Sequence, residues 1–136
     1  MRSSNYSILV AAAMMLAVPA MAAKHGVFRN PSGSVHVRVA DCGRQLCGTI
    51  VWADEKARAD SAKAGQKNII GMQLFRDLKP VPQPAGKPRR WEGDVYIPDK
   101  DRTVSGNAVL DGRTLRVEGC LLGDKLCKGQ DWVRVK

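Results

Sequence analysis

"RTVSGNAVLDGRTLRVEGC", Arg102 to Cys120, decides the fold class. Val104, Gly106, Ala108 and Leu110 recur at every second position, and Leu115 and Val117 resume the alternation beyond Asp111-Gly112. Successive side chains of a strand point to opposite faces, so a two-residue period marks a strand with one dry and one wet side. An Asp-Gly pair supplies the left-handed backbone that a tight hairpin turn requires. The stretch therefore predicts two antiparallel strands joined by a short turn.

The same pattern extends in both directions. Upstream, "RWEGDVYI" sets Trp91, Gly93 and Val95 against Glu92, Asp94 and Tyr96, and "PDKD" turns the chain toward Arg102. Pro80, Pro82, Pro84 and Pro88 in "KPVPQPAGKPRR" lack N–H donors, which predicts an exposed linker and excludes a central strand. "IIGMQLF", residues 69–75, reads as a strand in which Gly71 marks a bend or bulge. In "LCGTIVW", Ile50 and Trp52 alternate with Cys47 and Val51, so both faces are apolar and the strand is expected to be central. "VHVRV" places Val35, Val37 and Val39 on one face, and "HGVF" offers a short first strand before the turn "RNPSGS". Downstream, "LLGDKLCKG" is an irregular connection and "QDWVRV" a final strand. Residues 53–68 break the alternation with alanines and long charged side chains, which fit a fraying helix or a surface loop equally. About eight short strands and no long helix predict an all-β fold, a small antiparallel up-and-down barrel, because closure removes unpaired edges.

The N-terminus predicts export. Arg2, an apolar run over residues 8–18 and Ala20-Met21-Ala22 form a signal peptide over residues 1–22, leaving 23–136 as a single domain. Its apolar run of about eleven residues is short of the roughly 20 that span a bilayer, so no transmembrane segment is expected after cleavage. The expected location is the periplasm, or the outside of the cell. The full chain carries a formal +9, of which the leader removes only Arg2. Such a charge favours an anionic envelope component as partner. The cations are scattered, densest at "GKPRR" (86–90), and few aromatics interleave with them, which argues against nucleic acid.

Cys42, Cys47, Cys120 and Cys127 allow three complete pairings. Four residues separate the cysteines of "CGRQLC", where a redox pair needs two, and neither gap has the usual zinc-knuckle spacing. In an oxidising compartment, disulfides are the expected state. Adjacency across a predicted turn favours Cys42 with Cys47, which leaves Cys120 with Cys127.

Little else suggests chemistry. His25 and His36 form no local metal motif, and Glu92 and Asp94 share a strand face as ordinary exposed polar residues do. No nucleophile elbow, phosphate loop or zinc-protease motif is present. The expectation is a protein without catalytic residues, metal or cofactor. Trp52, Trp91, Trp132 and Tyr96 are the candidate ligand contacts: they pack a core, or they line a cavity for a small apolar ligand or lipid. The alternative is a structural module that binds an envelope protein through its outer face or loops.

"CGRQLCGTIVW", "WEGDVYIP", "LRVEGC" and "DWVRV" together resemble the DUF2147 family of exported bacterial proteins, over about residues 26–135. The resemblance implies a lipocalin-like, or calycin-like, barrel and supplies no catalytic residue to carry over. Phe28 stands where the family usually has tryptophan, and Val104 where it commonly has tyrosine.

Overall fold

Eight antiparallel strands close into one barrel in chain order, so each strand pairs with its sequence neighbours and the last returns to the first. They are β1 (Lys24–Arg29), β2 (Val35–Cys42), β3 (Gln45–Ala53), β4 (Gln73–Val81), β5 (Arg89–Ile97), β6 (Arg102–Asp111), β7 (Thr114–Cys120) and β8 (Cys127–Arg134). This computed structural model describes residues 24–123 and 125–136; the predicted leader lies outside the described residues. The Asp-Gly hairpin forms as expected, with Asp111 opposite Thr114 and Gly112 at φ 60°. The closing seam is short. Phe28 pairs with Arg134 and Arg29 with Val133, and the Val135 N–H donates to the Val27 carbonyl at 2.7 Å.

One apolar cluster occupies the barrel interior. Phe28, Val37, Val39, Leu46, Ile50, Phe75, Leu78, Trp91 and Leu115 are its most deeply buried large members. Each such side chain contributes about 1.5–3 kcal/mol on leaving water. Gly48 stands opposite Phe75, and the absence of a Cβ lets the phenyl ring lie over the β3 backbone.

Two local expectations change, and one reading left open is resolved. Between His36 and Val37 the pairing with β3 shifts: His36 faces Trp52, but Val37 faces Ile50. Val51 is therefore an extra residue, and such a bulge reverses every side chain beyond it. Ile50 points inward as expected, whereas Trp52 turns outward. β4 begins four residues later than the predicted strand start at Ile69 and runs into the proline segment, with Pro80 opposite Trp91. Pro80 is accommodated one residue from the strand's end, beyond an irregularity at Arg76–Lys79 where Asp77 adopts φ 59°. Ile69 is buried in the connection before β4. Residues Glu55–Lys63 form a helix, α1. The Asp54 side chain accepts from the Ala57 N–H at 2.8 Å, and Lys56 pairs with Asp60 one turn on.

Both disulfides form, at opposite ends of the barrel. Cys42–Cys47 clips the β2–β3 turn with a Cα separation of 5.8 Å, and Cys120–Cys127 joins the β7 and β8 ends across 4.0 Å. Closing loops this small stabilises by roughly 2 kcal/mol each in the chain-entropy model.

Candidate functional site

The four aromatic candidates do not share a cavity. Trp91 is 2 % exposed inside the barrel, with the His25 ring edge-on at 5.7 Å and the Arg89 guanidinium over its ring at 4.9 Å. Trp132 is also buried, opposite Leu115 and 6.3 Å from the Phe75 ring, and its indole N–H donates to Gln130 Oε1. Trp52 is 43 % exposed on the outer wall, tilted against His36 at 4.7 Å. Its outward turn follows from the bulge at Val51.

Tyr96 is buried on the opposite side of β5 from Trp91 and Val95, the side that the alternation assigns it. Arg76 covers its ring at 4.0 Å, and its hydroxyl donates to Asp101 Oδ1 at 2.7 Å. Asp101 also accepts from Gln66 and sits at φ 44° after the short helical turn Pro98–Lys100. The hydrogen bond to Asp101, then burial, then the negative charge of Asp101 raise the Tyr96 pKa above its ordinary 10.0. The folded state thus holds the phenolic proton more tightly than the unfolded chain. This stabilisation is complete below pH 10 and is lost as pH rises through the raised folded value. Absorbance titration at 295 nm of protein lacking residues 1–22, in which Tyr96 is the sole tyrosine, should give a midpoint above 10. Asp101→Asn should bring it back down.

The most unusual surface lies at the barrel end that carries α1. Leu121, Leu122 and Leu126 occupy the β7–β8 loop and are exposed, Leu122 to 75 %. Leu122 and Leu126 adopt φ 56° and 54°, a left-handed backbone that L residues other than Asn and Asp seldom take. The Leu121 N–H donates to the Leu126 carbonyl at 3.3 Å, and Cys120–Cys127 closes the loop immediately outside that bond. With Arg102, Thr103, Val104 and Ser105 of β6, the leucines line an open depression of about 550 Å³. Glu118 Oε1 lies 3.9 Å from Cys120 Sγ, but both sulfurs of this cluster are taken up in the disulfide, so no thiolate is offered to a metal.

In sequence these leucines belong to an irregular connection. Their signal was available in "CLLGDKLC", three large apolar residues confined between two cysteines. A core assignment needs a strand or helix to turn them inward, and this stretch has neither.

A family model described as "Uncharacterized protein conserved in bacteria (DUF2147)" matches residues 26–134. No curated protein and no solved structure matches the chain.

Proposed function

The chain belongs to the DUF2147 family of bacterial proteins, and on that footing we propose that it is a non-catalytic exported barrel that binds a lipid tail or another small apolar molecule at its leucine loop. The observation that carries this reading is the exposure of Leu121, Leu122 and Leu126 around a depression of about 550 Å³, a volume within the usual range of small-molecule sites. Contiguous exposed apolar side chains mark contact surfaces, and each leucine gains about 1.5–3 kcal/mol when a partner covers it. A disulfide-closed loop loses little further freedom on binding, which leaves more of that gain as affinity.

The lining residues with polar side chains are Thr103, Ser105 and Arg102. They suit recognition of an acid headgroup better than proton transfer, because no imidazole or carboxylate stands among the described lining residues. Export is supported by the leader and by two disulfides, which persist in oxidising compartments. Among the described residues no helix is long and apolar enough to cross a membrane.

The test is titration of disulfide-intact protein with a fluorescent dodecyl-chain fatty acid. Leu122→Ser/Leu126→Ser should weaken binding by about 100-fold with the melting temperature unchanged, since both side chains point to water. Unchanged affinity in that variant would defeat the proposal.

A further inference from the structure

Basic residues crowd the barrel end opposite the leucine loop. Lys24 opens β1, Arg44 lies in the β2–β3 turn, Lys87 in the β4–β5 loop, Arg89 and Arg90 at the start of β5, and Arg113 in the β6–β7 turn. Strictly alternating strand direction brings all of these positions to one rim. The carboxylates there, among the described residues, include Asp41, Asp77, Glu92 and Asp111. Asp41 is divided between His25 at 2.9 Å and Arg89 at 3.7 Å, while Asp77 accepts from Gln45 and lies 3.6 Å from Lys79. Arg90 pairs with Glu92 at 3.0 Å. Arg44, Lys87 and Arg113 are exposed on three separate turns. The leucine end also carries cations, among them Lys100, Arg102, Lys125 and Lys128, but these are interspersed with Asp99, Asp101 and Glu118, and Lys56 there pairs with Asp60.

We propose that this basic rim docks on an anionic lipid bilayer, with headgroup phosphates as the ligands. The choice of a bilayer rests on shape as well as sign. The three turn cations stand around the rim of a barrel end, which matches a planar array of phosphates better than a single linear chain. Beside them, a depression of about 340 Å³ is framed by Pro80, Pro84, Lys87, Arg89 and Arg90, room for one headgroup. Trp91 borders it but is only 2 % exposed, which removes the stacking face that a sugar or base would use. The rim is separate from the leucine loop, and the docking stands or falls independently of lipid binding there.

Cosedimentation with phosphatidylcholine vesicles, with and without phosphatidylglycerol, tests it. The disulfide-intact protein should bind only the anionic vesicles and release as salt rises. Each basic residue near such a surface is worth about a fivefold change in binding, so Arg44→Gln/Lys87→Gln/Arg113→Gln should lose about 100-fold. The three single substitutions should lose about fivefold each, which separates electrostatic loss from misfolding of the triple variant. Lys100→Gln/Lys125→Gln/Lys128→Gln removes the same formal charge at the far end. It should change binding little, because a nine-residue strand spans about 30 Å and the Debye length is about 10 Å in ordinary buffer. Equal losses in the two triple variants, or equal binding to neutral vesicles, would overturn the proposal. So would retention on dextran sulfate without binding to phosphatidylglycerol, which would assign the rim to an acidic polymer.

Discussion

Trp91→Ala should lower the free energy of unfolding by about 3–5 kcal/mol and the melting temperature by roughly 10–25 °C. The indole is 2 % exposed, and its nearest cross-strand partner on β6 is Ala108, fully buried. A methyl group opposite a deleted indole has no rotamer with which to fill the space, so the cavity persists and adds its own penalty to the lost transfer energy. Loss of the indole also leaves the Arg89 guanidinium and the His25 ring without their shared contact. Trp52→Ala is the matched comparison. With its ring outside the barrel against His36, it should cost less than about 1 kcal/mol. Urea denaturation of the two variants would reveal the difference, and equal losses would contradict the inward and outward assignments.

Gly93→Ala should cost about 3 kcal/mol or more, a large value for the addition of one methyl group. A Cβ at Gly93 would collide with the Asp77 carbonyl and approach Leu78 Cα, both backbone atoms. No side-chain rotation relieves a backbone clash. The β4 irregularity that holds Asp77 at φ 59° would have to move, and with it the pairing between β4 and β5. Gly119→Ala is milder. Its Cβ meets only Val104 Cγ2, at 3.1 Å, and a small shift of that side chain accommodates it. Thermal unfolding should therefore separate the two alanine variants clearly.

The parts of this fold that can be read from sequence are those fixed by neighbouring residues. Alternation at Val104 to Leu110 and the Asp111-Gly112 turn specify a hairpin before any distant strand is considered. Trp52 shows where local reading stops. Its parity with Ile50 is correct for a regular strand, but the extra residue at Val51 is imposed by the pairing of Trp52 with the distant His36 on β2. Pro80 is similar: its missing N–H argues against a central strand, and only the irregularity beside Asp77 and the closeness of the strand end make room for it. The helix Glu55–Lys63 had a usable local signal in Asp54, the N-cap, but its apolar face is too weak to distinguish it from a loop without the cap. At the candidate site the cysteines were legible because turn adjacency brings them together. The exposure of Leu122 and Leu126 was not, because it depends on how β7 and β8 end and on a left-handed backbone that apolar residues rarely adopt.

The interior of the barrel maintains the fold, and both contacts proposed for other molecules lie at its ends. Amide and indole NMR of the disulfide-intact protein during titration with decanoate tests that division most directly. Residues 102–105 and 121–126 should shift progressively while the indole signals of Trp91 and Trp132 stay in place. Large shifts of both buried indoles, with the leucine loop unaffected, would place the ligand inside the barrel and contradict the account.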